Sequence, residues 1–382
     1  MRLAIDYTSA LRQAAGIGRY ARELVDAILA TPAPHDFVLM AATTGLSQHW
    51  RHEQARLQGL AAAPEQLHFR GLPLTDNWVA RLWQRLRVPL PAESITGGVD
   101  CFYSPDFVLP PLLSRTLALL TVHDLSFIRH PETFTPALQE YLQKAVPRSV
   151  ARADFILADS IATQHDLVEL LHVPADRVTV LYSGLSAGFQ DTPEADERAR
   201  LKTRYGIGAR PYILTVGTVQ PRKNYIRLMQ ACDPLIASGN LELVIAGKPA
   251  WLSEPIVEAA AQRPYTRLLG FVADVDLPAL YRQAKAFAFP SLYEGFGIPI
   301  VEAMACGTPV VGSSASSIPE VVGDAGLLVD PLDVAGWREA LRRVCEDSAL
   351  HADLRARGLS RAPQFSWARA ATQCLELIAK IA

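Results

Sequence analysis

The sequence lacks the features that would place it in several specialised classes of protein. Its 382 residues include five cysteines, and their scattered positions predict neither a zinc site nor a disulfide framework. Lys and Arg total 37 against 39 Asp and Glu, so a net charge of −2 gives no general attraction to nucleic acid. No segment approaches the roughly 18 uninterrupted apolar residues of a membrane span, and the apolar run at the N-terminus is too short for a signal peptide. We therefore expect a protein of the reducing cytoplasm.

The sequence does contain two series of short apolar runs that alternate with helical patterns. The runs of the first series are Leu3–Asp6, Phe37–Met40, Val99–Tyr103, Leu117–Val122, Phe155–Ala158 and Val178–Leu181. Those of the second are Tyr212–Val216, Glu242–Ala246, Thr266–Leu269, Ala286–Phe289, Pro309–Gly312 and Leu327–Val329. Such alternation is typical of parallel sheets with helical crossovers, and it predicts an α/β fold of two Rossmann-like βαβ domains facing across a cleft. The expected parts are residues 1–185, a linker at 186–210, residues 211–365 and a C-terminal helix within 366–382.

The stretch SLYEGFGIPIVEAMACGTPVV, residues 291–311, predicts a loop that leads from a strand into a helix. The helix is expected to begin at Ile298 or Pro299 and to end near Gly307, which can adopt a positive φ. The loop glycines lie just ahead of the helix N-terminus. Unpaired N–H groups and the positive end of the helix dipole favour a phosphate at that position.

Glu294 and Glu302 lie eight positions apart around this loop. Carboxylates do not bind phosphate, but each can accept strong hydrogen bonds from the hydroxyls of a sugar nucleotide. The stretch is therefore interpreted as a clamp for a sugar diphosphate. The alternative is that both glutamates merely cap or solvate the helix. The place of Glu294 directly after an apolar strand, where open α/β sheets bind ligands, favours the clamp.

A pair of cations follows another strand in the segment VGTVQPRKN. Arg222 and Lys223 come after the run that ends at Val216, in a loop broken by Gly217 and Pro221. Two cations at the carboxyl end of a strand would balance the charge of a nucleotide diphosphate. A solvated basic turn is the alternative, and the neighbouring glutamate clamp favours binding.

In the first half, the segment TVHDLSF places His123 and Asp124 directly after an apolar run. This position favours a ligand-binding histidine over a structural one. A neutral imidazole could hydrogen-bond a sugar hydroxyl, and Asp124 could orient the ring or receive an acceptor.

The loop AAGIGRY, Ala14–Tyr20, places Gly16 and Gly18 at a helix N-terminus. These glycines would allow a phosphate or sugar to approach the backbone closely. A structural turn without a ligand is the alternative. The loop lacks the third glycine of a dinucleotide fingerprint, so nicotinamide binding is not favoured.

The segment Asp76–Arg87, DNWVARLWQRLR, predicts a short helix with an apolar face and two arginines opposite. Such a helix could rest on an anionic membrane surface, which would place the protein at the cytoplasmic face of the inner membrane. Burial against its own domain is the alternative, because one short helix carries little membrane affinity.

With these motifs in place, the chain resembles the retaining glycosyltransferases of family four, which have the two-Rossmann GT-B architecture. The resemblance runs nearly end to end. It is carried by EGFGIPIVEAMACGTPVV, VGTVQPRKN, VHDLSFIRHPETF, GIGRY and SSIPEVVGDAGLLVDP. Within the family, VHDLSF together with PRKN is similar to bacterial mannosyltransferases that build O-antigens and exopolysaccharides from GDP-mannose. The resemblance also implies that the terminal helix, Trp367–Ile381, crosses back to the first domain.

The resemblance implies a role for each motif residue. Glu294 would meet the donor sugar and Glu302 the nucleotide ribose, while His123 would lie near the donor sugar. The basic pair, Arg222 and Lys223, would hold the diphosphate. The other implied donor-binding residues are Gly16, Gly18, Gly217, Val272 at the base, and Gly295, Phe296 and Gly297 at the phosphates.

One position departs from the family pattern. Many relatives carry arginine directly after the glycine of the VG strand end, where this chain has Thr218. We infer that Arg222 supplies the missing guanidinium.

The expected activity is transfer of mannose from GDP-mannose, with retention of configuration, to a hydroxyl of a glycan or lipid-linked oligosaccharide. No side chain is an obvious covalent nucleophile, so the family's front-face displacement is expected. No metal and no cofactor are expected, and ADVD at Ala273–Asp276 is interpreted as a helix-start cap rather than a metal site. The alternatives are a UDP-sugar donor, an epimerase or phosphorylase of the same architecture, and a non-catalytic binding protein.

Overall fold

Parallel β-sheets form the centres of two units of the chain. A computed structural model describes residues 1–13, 16–208, 210–239 and 241–381. Unit 1 comprises Met1–Leu125, Glu140–Gly184 and Ser366–Ala382, and unit 2 comprises Ser126–Gln139 and Leu185–Phe365.

The sheet of unit 1 has seven parallel strands in the order β3-β2-β1-β4-β5-β6-β7. Its strands are β1 (Arg2–Asp6), β2 (Asp36–Ala42), β3 (Leu67–Leu72), β4 (Cys101–Ser104), β5 (Leu117–Val122), β6 (Phe155–Ala158) and β7 (Val178–Val180). The predicted runs all form strands here, and β3 was missed. β3 lies at the edge of the sheet, and its half-exposed sequence LHFRGL lacks the apolar run of a central strand.

The sheet of unit 2 has six parallel strands in the order β10-β9-β8-β11-β12-β13. They are β8 (Tyr212–Val216), β9 (Glu242–Ala246), β10 (Thr266–Gly270), β11 (Ala286–Phe289), β12 (Val310–Ser313) and β13 (Gly326–Val329). Each matches a predicted run, and the fold class, two Rossmann-like parallel-sheet domains, is confirmed.

The helices cover the sheets and supply the apolar faces that bury them. They are α1 (Thr8–Arg12), α2 (Ile17–Ala30), α3 (Ser47–Leu60), α4 (Asp76–Ala80), α5 (Glu93–Thr96), α6 (Ser126–Arg129), α7 (Pro136–Arg152), α8 (Ile161–Leu171), α9 (Glu197–Tyr205), α10 (Tyr225–Gly239), α11 (Glu254–Ala261), α12 (Leu277–Gln283), α13 (Ile298–Ala305), α14 (Ile318–Val322), α15 (Val334–Glu346), α16 (Ser348–Arg361) and α17 (Trp367–Ile381). Short 3₁₀ turns occur at Pro64–Gln66, Pro131–Thr133, Ala175–Arg177, Pro221–Lys223 and Ala362–Gln364, and a π-turn at Arg81–Arg85.

The C-terminal helix α17 belongs to unit 1, as the resemblance implied. It packs along α2, and the ring of Trp367 meets that of Tyr20 edge-on at 5.6 Å. Among the helices of the described ranges, none combines the length and apolarity that a membrane crossing requires.

In each sheet, the chain first adds strands on one side of its first strand and then adds the remaining strands on the other side. The two groups of strands meet between β1 and β4 in unit 1, and between β8 and β11 in unit 2. Connections leave the two neighbouring strands in opposite directions there, which opens a crevice at their carboxyl ends. The loops after these strands are therefore where each unit can bind a ligand.

Candidate functional site

The glycine-rich loop of unit 2 follows β11, at the reversal point of the sheet. Gly297 precedes α13 with a positive φ of 115°, and the helix runs from Ile298 to Ala305. Gly307 has a φ of 72° just beyond its end. The predicted strand, loop and helix boundaries are confirmed, so the N-terminus of α13 opens at the carboxyl edge of the sheet.

Glu294 in this loop forms ion pairs with both cations of the basic turn. Lys223 Nζ donates to Glu294 Oε1 over 2.6 Å, and Arg222 Nη1 donates to Glu294 Oε2 over 3.0 Å. Arg222 Nη1 also lies 2.5 Å from the carbonyl oxygen of Tyr293. The carboxylate is only 7% exposed and Lys223 only 8%. The structure thus brings three predicted catalytic residues together in one buried cluster.

The charge state of Glu294 follows from these contacts. Burial alone would raise the pKa of its carboxyl, but Arg222 and Lys223 outweigh burial and lower the pKa to about 2. The carboxylate is therefore ionised at neutral pH. It can accept hydrogen bonds from sugar hydroxyls and cannot act as a proton donor.

Two serines hold the backbone of the glycine loop. Ser316 Oγ accepts from Glu294 N at 2.8 Å. Ser317 Oγ lies 2.9 and 2.8 Å from the carbonyl oxygens of Glu294 and Phe296, which share its single hydroxyl proton. Ser316 has a positive φ of 51°, which is uncommon for a residue with a side chain. Both serines lie in the motif SSIPEVVGDAGLLVDP, and no role was predicted for either. The available signal was a pair of hydroxyls in the loop that follows the buried strand β12.

The second glutamate, Glu302, lies inside α13 and is 1% exposed. Its Oε2 accepts from the hydroxyl of Tyr281 at 2.8 Å. Contact with a ribose stays a prediction. Nearby, burial raises the pKa of the Cys306 thiol to about 12, so this thiol is not suited to act as a nucleophile.

Gly217 follows β8 in a backbone conformation that residues with a side chain rarely adopt. Its φ is 153°, and its carbonyl accepts from the hydroxyl of Tyr225 at 3.1 Å. A Cβ on Gly247, which follows β9, would lie 1.9 Å from the same carbonyl oxygen. Gly247 was not singled out from the sequence. Because neither glycine has a side chain, the loops that follow the adjacent strands β8 and β9 can lie in direct contact.

The loop after β10 holds Val272, the residue implied to touch the base. Its side chain is buried at 5% exposure, so any contact with a base would use its backbone. Its neighbour Phe271 is 53% exposed and has the Lys248 ammonium 4.7 Å above its ring. Neither Phe271 nor Lys248 was predicted as a site residue.

Asp276 departs from its predicted role as a helix cap. It stands directly before α12, yet its side chain makes no capping hydrogen bond. The carboxylate instead accepts from Arg204 and Tyr205 of α9, at 2.8 Å each. It is fully buried. Charged partners outcompete the backbone N–H groups for a buried carboxylate, so Asp276 anchors α9 within unit 2.

His123 lies in unit 1 directly after β5, as expected, and is 7% exposed. Its Nδ1 is 2.8 Å from Asp159 Oδ2 and its Nε2 is 3.1 Å from the carbonyl oxygen of Pro105. Burial on its own would lower the pKa of the imidazole, but Asp159, with help from Asp106, raises the pKa to about 9. These carboxyl groups favour the protonated imidazole at neutral pH over the neutral ring considered from the sequence.

The glycine loop of unit 1 is described from Gly16 onward, since Ala14 and Ala15 lie outside the described residues. Gly16 precedes α2 with a φ of 59°, and a Cβ there would meet nothing within 4 Å. A Cβ on Gly18 would lie 2.3 Å from the carbonyl oxygen of Gln13. Gly18 is thus required by packing, and Gly16 borders open space. Ligand contact by either glycine stays a prediction.

The segment of unit 2 around His130, for which no role was predicted, contacts the Glu294 loop. The ring of His130 lies 5.9 Å from that of Tyr293. Trp251 Nε1 donates to the carbonyl of Thr133 at 2.8 Å, and the ring of Phe134 stacks on Trp251 at 6.0 Å. The segment was quoted within VHDLSFIRHPETF, but its aromatic partners are far along the chain and could not be identified from spacing.

Comparison with known proteins identifies the class of protein that this fold and site define. Residues 210–347 match the family model described as glycosyl transferases group 1. The chain is 34% identical over 367 residues to the O-antigen chain mannosyltransferase B of Escherichia coli, with 94% of each chain covered. The chain therefore belongs to the group 1 glycosyltransferases.

Two further similarities extend the comparison. The serotype-specific mannosyltransferase WbdA of Escherichia coli is 33% identical over 66% of this chain, and the match spans 32% of WbdA. Among solved structures, Anabaena Alr3699/HepE in complex with UDP and glucose superimposes with a TM-score of 0.74, 19% identity and full coverage of both chains. The structural similarity supports the GT-B fold.

Proposed function

We propose that the protein is a retaining mannosyltransferase that moves mannose from GDP-mannose to a hydroxyl of a glycan or lipid-linked oligosaccharide during synthesis of a bacterial surface polysaccharide. The observation that carries the proposal is the buried cluster of Glu294, Arg222 and Lys223 at the carboxyl edge of the unit 2 sheet. The names of the two Escherichia coli relatives support mannose as the transferred sugar.

In the proposed reaction, the cations of the cluster bind the diphosphate and its carboxylate binds the sugar. Lys223 and Arg222 neutralise the diphosphate, together with the N–H groups at the start of α13. As the phosphate approaches, it competes with Glu294 for the two cations. The carboxylate is then able to accept hydroxyl hydrogen bonds from the sugar. The bond between the anomeric carbon and the diphosphate oxygen breaks as the acceptor oxygen attacks from the same face, and the leaving diphosphate takes the acceptor proton.

The proposed mechanism requires no metal, because two cations and a helix N-terminus stabilise the leaving group. Among the described residues, no cluster of three or more His, Cys, Asp or Glu is placed to hold a metal ion. Independence of metal stays a prediction, and chelation of the purified protein tests it.

The identity of the nucleotide base in the donor is less constrained than the identity of the transferred sugar. Backbone atoms at Val272 would meet the base, and backbone contacts discriminate guanine from uracil weakly. HepE was crystallised with UDP, so a UDP-sugar is the second candidate donor. Guanine is favoured by the likeness to O-antigen mannosyltransferases.

An exposed surface of unit 1 supports peripheral contact of the protein with the cytoplasmic face of the inner membrane, where a lipid-linked acceptor would lie. Trp83 is buried, but Trp78 and Leu86 are 49% and 61% exposed. The Arg81 guanidinium lies 5.0 Å from the Trp78 ring centroid, and Arg85 is also exposed. Exposed apolar side chains beside arginines suit an anionic lipid surface. Peripheral contact is proposed on this basis.

Thermal-shift measurements with GDP-, UDP- and ADP-sugars test the donor. Binding of GDP-mannose at a hundredfold excess over Kd should raise the unfolding free energy by about 2.7 kcal/mol. A response to UDP-sugars alone would exclude GDP-mannose and leave the enzyme class intact. Nucleotide release that requires an added acceptor would distinguish transfer from epimerisation.

A further inference from the structure

The two ring nitrogens of His123 both face oxygen atoms that accept hydrogen bonds. Nε2 lies 3.1 Å from the carbonyl oxygen of Pro105, and a carbonyl cannot donate. Nε2 must therefore carry a hydrogen to bond favourably. Nδ1 lies 2.8 Å from Asp159 Oδ2, and a carboxylate accepts from a protonated Nδ1. The geometry thus suits an imidazolium that donates from both nitrogens.

The His123 imidazolium is buried, so its stability depends on an anionic partner. His123 is 7% exposed and Asp159 is 6% exposed. The rings of Tyr20 and Phe107 meet the imidazole edge-on at 4.8 and 5.3 Å. An unpaired charge would be costly in such a place. Besides Asp159, the titratable residues close to the ring are Asp106, whose carboxyl raises the His123 pKa, and Tyr20 through its ring.

The second carboxylate oxygen of Asp159, Oδ1, is buried and is not used by another hydrogen bond within the described part of the chain. The backbone of His123 is held separately, because Thr163 Oγ1 donates to its carbonyl at 3.1 Å. Loss of the Asp159 charge should therefore change the ring's protonation more than its backbone position.

We propose that Asp159 is a positioning residue that holds His123 as a hydrogen-bond donor on both nitrogens. His123 then serves transfer by donating from Nε2 to an oxygen of the donor substrate, which replaces the Pro105 carbonyl. It does not act as a base that accepts the acceptor proton. The substrate part of this inference rests on the proposed function, and the protonation part does not.

NMR titration of the nine histidines tests the protonation part without any substrate. His123→Gln assigns the resonance by its disappearance. In the wild-type protein, His123 should keep both N–H groups at pH 7 and lose a proton only above pH 8. Titration of His123 at or below its ordinary value of about 6.5 would overturn the proposal, whether or not the protein transfers mannose.

Asp159→Asn tests the dependence on the carboxylate, with Asp154→Asn as the matched control. These aspartates bracket the same strand, β6, and Asp154 accepts from the backbone N–H of Ala118 rather than from a histidine. Asp159→Asn should lower the His123 pKa towards or below about 6.5. Asp154→Asn should leave it unchanged. An unchanged pKa in a folded Asp159→Asn protein would overturn the role of Asp159.

The pH dependence of transfer then tests the substrate part. Near pH 6 the activities of Asp159→Asn and wild type should be similar. At pH 8.5 the variant should be about a hundredfold slower, because only about 1% of His123 would remain protonated at a pKa near 6.5. A ratio that does not change with pH would mean that Asp159 has only a structural role. Absence of transfer in the wild type would refute the proposed function and leave the NMR result standing.

Discussion

The ammonium of Lys223 lies 2.6 Å from Glu294 Oε1, and both groups are more than 90% buried. The two residues are 71 positions apart in the chain and meet because β8 and β11 are neighbours in the sheet. The contact joins the basic turn to the glycine loop. It places the cation that we propose binds phosphate and the carboxylate that we propose binds the sugar within one hydrogen bond of each other.

Lys223→Ala should reduce mannose transfer by at least a hundredfold, because it removes a buried cation that stabilises the leaving diphosphate. Steady-state rates with GDP-mannose measure the change, and circular dichroism checks the fold. Lys202→Ala, at an exposed position of α9, is the control and should retain full activity. Full activity in a folded Lys223→Ala protein would remove Lys223 from the mechanism.

Arg222→Ala should also slow transfer, and Thr218→Arg should partly restore it. Thr218 stands where many relatives have arginine, and it is exposed. A guanidinium supplied from that position could again meet the diphosphate. Rates of the single and double variants measure the effect. If Thr218→Arg fails to improve Arg222→Ala, the inference that Arg222 replaces the family's arginine is wrong.

Glu294→Gln should be less stable than the wild type at neutral pH, because it leaves two buried cations without their carboxylate. The folded-state pKa of Glu294 is lowered to about 2, so its contribution is complete above about pH 4.5 and is lost as pH falls towards 2. The stability gap should narrow by about 1.4 kcal/mol per pH unit in that window. Urea unfolding at several pH values measures it, and a constant gap would contradict the ion pairs.

Gly247→Ala should weaken donor binding and destabilise unit 2, because its Cβ would lie 1.9 Å from the Gly217 carbonyl oxygen. The backbone must move, at a cost of about 1 to 3 kcal/mol. Gly59→Ala in α3 is the control, since a Cβ there meets nothing within 4 Å and alanine favours a helix. Equal melting temperatures for the two variants would contradict the close contact of these loops.

Replacement of Arg81 and Arg85 by glutamate should reduce binding to vesicles that contain phosphatidylglycerol. Each arginine near an anionic surface contributes about 1 kcal/mol, so removal of two should weaken binding by at least tenfold. Co-sedimentation measures binding, and neutral phosphatidylcholine vesicles are the control. Equal binding of both vesicle types by the wild type would exclude an electrostatic contact.

The sequence predicted most of the fold because buried parallel strands are short apolar runs with recognisable ends. It missed β3, whose edge position removes the need for such a run. It located Glu294 and the α13 boundary correctly, because proline and glycine mark the ends of that helix. These are local signals, and they can be recognised in the sequence without knowledge of tertiary contacts.

The sequence could not reveal the partners that tertiary structure brings to each site residue. Asp159 follows its own strand 36 positions after His123, and nothing in the spacing connects them. A neutral imidazole was considered from the sequence because the carboxylate beside the ring, which favours the protonated form, could not be recognised there. Gly247 and Ser317 were missed for the same reason, because each acts on a backbone segment far away in the chain.

The most direct test of the proposed function is acceptor-dependent release of GDP from GDP-mannose, with the anomeric configuration of the product determined by NMR. We expect release in the wild-type protein, an α-linked mannose in the product, and at least a hundredfold loss in a folded Glu294→Gln variant. Transfer with inverted configuration, or full activity of Glu294→Gln, would contradict the proposed function.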